Sequence, residues 1–251
     1  MRPESYKKWI PGDYLREYYS TEKIAEDEIY IFKFILQFIN FHGRFKEMLD
    51  FGSGPTIHHI IPFEPYVRKV YIADYLDSNL REVDKWVNGK EGAHDWRPYF
   101  EGSIKIEKQK LNERLITSRI KSLKKKTHLL KADIFKARPI NLNKKFVLVT
   151  SFYCVECTTS SKVTWKKAIK NILNLVAPGG WILMSSLRKA KFYRSGDMIF
   201  PSANIDEKDL YRELKKCGFD RKTIDIRVHY IKQWRNEGFN SIIICKAKKP
   251  L

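Results

Sequence analysis

The stretch Leu49-Asp50-Phe51-Gly52-Ser53-Gly54-Pro55 constrains this chain more than any other. An apolar run from Phe45 ends in an acid, Asp50, meets a glycine turn and leads toward a predicted helix. That is the strand–turn–helix order of a nucleotide-binding crossover. Gly52 and Gly54 permit a tight turn and let a ligand approach the backbone. A carboxylate at the strand end would repel a pyrophosphate and suits a cationic or hydroxyl-rich ligand.

The turn departs from the dinucleotide pattern, because its third glycine would fall at Ile57. Two glycines behind an acid fit S-adenosylmethionine, which has no phosphates, better than NAD or FAD. A second acid strengthens this. Val67 to Ala73 reads as a strand ending in Asp74, 20 residues after Gly54. An acid there is placed to accept hydrogen bonds from two ribose hydroxyls.

Around this pair the chain alternates. Ser20 or Thr21 could cap a helix rich in early acids (Glu22, Glu26, Asp27, Glu28), apolar from Ile29 to Ile39 and ending near Gly43. The short aromatic segment Asp13 to Tyr19 before it suits packing or a lid, and composition favours packing. Leu76 to Val87 has helical spacing. Gly89, Gly92, Pro98 and Gly102 mark a loop. Leu111, Leu115, Ile116, Ile120 and Leu123 then form an apolar stripe among seven basic residues between Lys110 and Lys126. Such a helix packs its stripe and exposes its lysines, or else touches RNA or a membrane surface. Residues 88–126 read as a basic insertion. Short strands end at Asp133 and Thr150, and a helix follows from about Trp165 to Val176. Pro178-Gly179-Gly180 turns into a strand over Trp181 to Ser185, a helix spans Asp206 to Cys217, and two strands close the chain. The order predicts an α/β fold in one domain, 1–251: a mostly parallel seven-stranded sheet with an antiparallel edge and helices on both faces. Residues 1–43 read as an N-terminal helical segment ahead of the sheet, packed on it or serving as a lid.

Charge and cysteines limit the rest. The formal charge is +19, which draws in anions. It reflects a solvated lysine-rich surface or a polyanionic partner, and nucleic acid is possible without being favoured. Four cysteines in 251 residues do not make a disulfide framework. Cys154 and Cys157 lack two further ligands nearby, and His58 and His59 have no metal spacing to any cysteine, so no metal is expected. The polar segment Met1 to Ile10 has no signal core, and no long uncharged apolar run suggests a membrane span. A cytoplasmic protein is expected.

With the glycine turn, Asp74, Asp133 and Pro178-Gly179-Gly180 in order, the chain resembles a class I S-adenosylmethionine-dependent methyltransferase. Several motifs narrow the resemblance. They are Asp13 to Tyr19, Asp50 to Thr56, Asp74-Tyr75 with Asn79-Leu80, Lys85-Trp86, Asp95-Trp96 with Pro98, and Asn236-Glu237-Gly238. Together they are similar to the branch holding nicotinamide, phenylethanolamine, indolethylamine and thioether methyltransferases, from about Tyr14 to Lys248.

The resemblance implies roles at matching positions. Tyr14 and Tyr19 would close over the cofactor, against the preference for packing. Gly52, Ser53, Gly54 and Thr56 would line its methionine end, with Ser151 near. Asp74 would hold the ribose beside Tyr75 and Asn79, and Asp133 and Ile134 would flank the adenine. His58 stands where the family often has Tyr. On the acceptor side, Phe152, Cys154, Val155 and Glu156 match the loop after the fourth strand if Tyr153 is inserted. Glu156 would face the acceptor and, with Tyr193, be catalytic. Ser186 stands where the nicotinamide enzyme has Asp; Tyr193 and Ser202 keep their family types. These matches imply a monomeric enzyme methylating a small-molecule acceptor, most simply a nitrogen of an amine or N-heterocycle other than nicotinamide. Oxygen or sulfur of an acidic small molecule, RNA, and a cofactor-binding protein without turnover are the alternatives.

Overall fold

The computed structural model describes residues 4–20, 24–232 and 234–251. Thr21 and Glu22, two of the residues expected to start the first long helix, lie outside them. A 3-10 turn over Glu4–Lys8 leads to helix α1 (Pro11–Tyr19). Sequence reading left this segment unassigned, since nine residues with three aromatics carry little periodicity. Helix α2 (Glu26–His42) is apolar on most sides because it is enclosed on most sides: Ile31, Phe32, Ile35, Phe38 and Ile39 are fully buried. Gly43, at φ +72°, ends it.

Strand β1 (Met48–Phe51) is buried throughout, as a central parallel strand must be. The turn after it does not enter an α-helix. His58–Tyr66 is a 3-10 run that contains Pro62 and Pro65. Neither proline can donate an intrahelical hydrogen bond, and the following turn cannot extend as α. Next come β2 (Val70–Asp74), α3 (Asp77–Asn88), α4 (Arg97–Ile106), α5 (Glu113–Lys126) and β3 (Thr127–Lys131). Helix α4 replaces the predicted loop. Pro98 sits in its first turn, where a missing N–H costs nothing. Gly102 is tolerated inside it because a Cβ there would lie 2.1 Å from Ile24 Cδ1.

The basic helix α5 packs its stripe inward, with Ile116 and Leu123 buried and Leu111 outside the helix. Among its cations, Arg119 is buried between Glu107 (2.8 Å) and Glu64 (3.3 Å), and Lys126 reaches Glu64 (2.7 Å). With Trp96, Tyr99, Phe100 and Ile104, residues 88–126 contribute a large share of one core.

The second half holds β4 (Phe146–Phe152), α6 (Lys162–Leu173) and β5 (Val176–Leu187). Strand β5 starts before Pro178-Gly179-Gly180 and pairs across it with a register shift. A hairpin follows, β6 (Phe192–Ser195) and β7 (Met198–Pro201), which the sequence did not announce. Helix α7 (Glu207–Lys216), capped reciprocally by Asp206 and Asp209, leads to β8 (Asp225–Tyr230) and β9 (Ser241–Lys248).

The seven-stranded sheet has the order β3-β2-β1-β4-β5-β9-β8. Strand β9 runs against its neighbours and lies between β5 and β8, so the late pair closes that edge as expected. Helices α2 to α5 cover one face and α6 and α7 the other, with an apolar core on each. Strand order reverses between β1 and β4, and an open α/β sheet binds ligands at the carboxyl ends of its strands at such a point. Among the described residues no helix is long and apolar enough to cross a membrane.

Candidate active site

One cavity opens at that switch point, above the ends of β1, β2 and β4 and below α1. Its first wall is the glycine turn. Gly52 and Gly54 have φ of +74° and +63°. A Cβ on Gly52 would lie 2.0 Å from Cys154 Sγ, whereas one on Gly54 would meet nothing within 4 Å. Gly52 is therefore fixed by packing, and Gly54 by its backbone conformation. Asp74 is buried and already ordered: Oδ2 accepts from Gly54 N (2.9 Å), Oδ1 from Leu76 N (2.8 Å) and Asn79 Nδ2 (3.0 Å). Trp9 Nε1 in turn donates to Asn79 Oδ1 (2.7 Å). Burial raises the Asp74 pKa, and the Leu76 N–H opposes it. Thr56 donates to Ser53 O (2.7 Å) and braces the turn. Asp50 does not reach the cavity; it is buried below, accepting from Thr150 Oγ1 (2.7 Å).

Of the residues predicted for the cofactor, Tyr14, Tyr19, Gly52, Ser53, Gly54, Thr56, Asp74, Tyr75, Asn79, Asp133 and Ile134 line this cavity. Ser151 does not, because its hydroxyl is turned to Phe51 O (2.9 Å). The residues fit S-adenosylmethionine. An open left-handed glycine, a fixed carboxylate at the second strand end and a glycine turn that leads into a 3-10 run and not into an α-helix suit a nucleoside carrying a thioether or sulfonium arm.

The other wall is aromatic. Tyr14 Oη lies 3.2 Å from Tyr19 Oη, and Tyr14 packs on Trp9 and Tyr18 with ring centroids 5.0 Å apart. Tyr6 donates to Cys157 O (2.7 Å), so at 3.0 Å it accepts from Tyr193. Burial pushes the Tyr193 hydroxyl well above its ordinary value, so it is a donor and not a base. Phe152 and Tyr193, both expected near the acceptor, line the cavity.

Glu156, Ser186 and Ser202 do not line it, which corrects the acceptor side. Glu156 is fully buried beneath the cavity floor and accepts from Leu187 N (2.8 Å). Its loop is a 3-10 turn, Val155–Thr158, that aims Cys157 at the cavity and Glu156 away from it. Burial raises the Glu156 pKa to about 7, only partly offset by the Leu187 N–H. Ser186 and Ser202 are buried with it.

Besides Asp74 and Asp133, the carboxylates that line the cavity come from the start of α2. Asp27 is 4% exposed and accepts from Tyr153 Oη (2.8 Å) and Trp234 Nε1 (3.0 Å). Both donors are neutral, and among the described residues no cation pairs with it. Burial and neighbouring Glu28 push its pKa up to about 6. Glu28 faces two imidazoles, His58 Nε2 at 3.1 Å and His59 Nε2 at 2.8 Å. Sequence reading took Asp27 and Glu28 for helix-starting acids, and only their spacing ahead of an apolar helix was visible. Trp9, Tyr18, Trp234 and Phe239 were likewise not predicted to meet here.

Comparison with known proteins agrees with this geometry. A profile of the NNMT/PNMT/TEMT family matches residues 1–249. Human nicotinamide N-methyltransferase is 24% identical over 250 residues, spanning 96% of this chain and 94% of its own. Mouse indolethylamine N-methyltransferase is 27% identical over 227 residues, 86% of this chain and 84% of its own. Among solved structures, an N-methyltransferase from Bradyrhizobium japonicum in complex with S-adenosyl-L-homocysteine superposes with a TM-score of 0.61 at 10% identity, covering 99% of this chain and all (100%) of that one. Magnesium protoporphyrin IX methyltransferase from Synechocystis with bound S-adenosylmethionine gives 0.59 at 13% identity, over 97% and 93%. At such identities the structural likeness speaks for the fold alone.

Proposed function

Since the chain belongs to the NNMT/PNMT/TEMT family and is an S-adenosylmethionine-dependent methyltransferase, we propose that it methylates a nitrogen of a small amine or N-heterocycle that binds as a cation. The observation that carries this is Asp27, a buried carboxylate with only neutral donors, facing an aromatic cavity beside the glycine turn. A buried charge without a counter-ion is costly, and a cationic ligand relieves that cost. Tyr14, Tyr18 and Trp234 add ring faces that favour a cation further. The expectation of an acceptor other than nicotinamide rested on Ser186, which is buried away from the cavity. Nicotinamide therefore returns to the set of acceptors worth testing.

The cofactor supplies a methyl group already activated on a sulfonium. The chain's own work is positional. Asp74 and the glycine turn hold the nucleoside, with Tyr75, Asn79, Asp133 and Ile134 around it. Tyr14 and Tyr19, in the lid formed by residues 1–43, close over both ligands and exclude water. Asp27 holds the acceptor nitrogen, and Tyr193, its O–H given to Tyr6, bounds the acceptor from the opposite wall. Orienting two reactants in line can supply on the order of 7–11 kcal/mol of the barrier. The bound cation first passes its proton to the Asp27 carboxylate, and the nitrogen then attacks as the free base, so no stronger base is required. We take the chain as one catalytic unit that works as a monomer on small molecules.

The test is mass-spectrometric detection of S-adenosylhomocysteine with the purified protein, S-adenosylmethionine and a panel of amines, N-heterocycles, thiols, phenols, carboxylic acids and RNA. Release with a cationic amine or heterocycle, and a product methylated on nitrogen, is expected. Release confined to acids or RNA would refute the assignment.

A further inference from the structure

We propose that His58, His59 and Glu28 form a divalent-metal site of the zinc class, with its open position facing the cavity. The three side chains are buried, and one ligand atom from each lies within 4.8 Å of the other two. Two distances are short, 2.8 Å from His59 Nε2 and 3.1 Å from His58 Nε2 to the two Glu28 oxygens. Ligand atoms around a tetrahedral zinc stand about 3.3 Å apart, given metal–ligand bonds of about 2.0–2.1 Å. The ion would spread these contacts by a few tenths of an ångström (roughly the difference between the two spacings). Two imidazoles and one carboxylate, with a fourth position left for water or substrate, is a donor set that catalytic zinc sites use.

The unoccupied hydrogen-bonding capacity points the same way. Neither ring nitrogen of His58 has an aligned hydrogen-bond partner, although the residue is fully buried. The 3.1 Å approach to Glu28 is off the line a hydrogen bond requires. A buried imidazole left so bears a desolvation cost that no partner offsets. A metal bond to Nε2 would answer this. A simple ion pair explains His59 well, and His58 poorly.

The surroundings suit a cation. His58 stacks on Trp96 (5.5 Å, 13°) and His59 on Phe152 (4.3 Å, 30°), which fixes both rings in an apolar shell. Tyr19 closes over His58 at 4.6 Å. The Glu28 carboxylate supplies the negative charge that faces the ion, and both of its oxygens point to the imidazoles. The two cavity thiols do not compete as donors, because burial holds Cys154 and Cys157 protonated.

The site does not depend on which acceptor is methylated, and its test needs no turnover. Cobalt(II) is titrated into the full chain after chelator treatment, and visible d–d absorption is followed, with circular dichroism as the check on folding. Saturation at one equivalent, displacement by zinc, and at least a hundredfold loss of affinity in both His58→Gln and Glu28→Gln are expected. His58→Tyr, which restores the residue type common in the family, serves where the glutamine variant is unfolded. Absence of saturable absorption would overturn the site. So would absorption that survives the substitutions, or a thiolate-to-cobalt charge-transfer band that places the ion on the cysteines.

Discussion

The cavity has two halves that were built differently. On the half proposed for the cofactor, a carboxylate and a glycine turn sit at the ends of adjacent strands, and backbone N–H groups do the fixing: Asp74 is held by Gly54 N and Leu76 N. On the half proposed for the acceptor, Asp27 is held by side chains from a loop 126 residues away and another 207 residues away. The first arrangement depends on local geometry, and the second on how distant elements meet. Binding a common cofactor needs the first. Choosing an acceptor can be retuned through the second without disturbing the sheet.

Substitutions that separate the halves should rank accordingly. The largest effect is expected from Gly52→Ala, because its Cβ would meet Cys154 Sγ at 2.0 Å and its φ is +74°. A clash in a packed core costs about 1–3 kcal/mol and a left-handed alanine about 1–2 more. Thermal denaturation should show the drop, and cofactor binding should be lost with it. Gly54→Ala meets nothing within 4 Å, so only the smaller backbone cost applies.

Asp27→Asn should come next. Acceptor KM is expected to rise about 10- to 100-fold, a loss of about 1.4–2.7 kcal/mol, while calorimetric affinity for S-adenosylhomocysteine stays unchanged. An unchanged KM would show that the acceptor binds elsewhere.

Glu156→Gln separates stability from catalysis. In the folded chain the Glu156 pKa is raised to about 7, from an ordinary value near 4.5. Below about pH 4.5 the group is protonated both folded and unfolded. Between that pH and about 7 the unfolded chain releases its proton and the folded chain keeps it, so stability falls as pH rises. Above about 7 both forms are ionised and the loss, on the order of 3 kcal/mol, is complete. Urea denaturation across pH should show this slope in the wild type and a flatter one in the variant. Turnover at neutral pH should change less than about threefold, a loss below about 1 kcal/mol. Ser186→Ala, buried beside it and off the cavity, should change turnover least.

The same division explains what the sequence could disclose. The cofactor half was legible because Gly52, Gly54 and Asp74 mark strand ends, and their spacing follows from the crossover. The mostly parallel seven-stranded sheet with its antiparallel edge was legible for the same reason, as alternating strands and helices admit few connections. The acceptor half was not. Glu156 looks like the acceptor acid from its place in the chain, but a 3-10 turn rotates it into the core. Asp27 and Glu28 look like ordinary first-turn acids, and nothing local tells that their helix begins at the cavity. His58 and His59 showed no metal spacing because their third partner, Glu28, lies 31 residues before His59. Helix α4 was read as loop since Pro98 and Gly102 are punctuation in most contexts, whereas here one starts the helix and the other makes room for Ile24.

The most direct measurement is a calorimetric titration of S-adenosylhomocysteine into the wild type, Asp74→Asn and Asp27→Asn. Asp74→Asn should weaken binding at least tenfold, about 1.4 kcal/mol, and Asp27→Asn should leave it within about twofold. Equal losses in both variants, or a loss only with Asp27→Asn, would contradict a cavity divided into a cofactor half at the glycine turn and an acceptor half at α2.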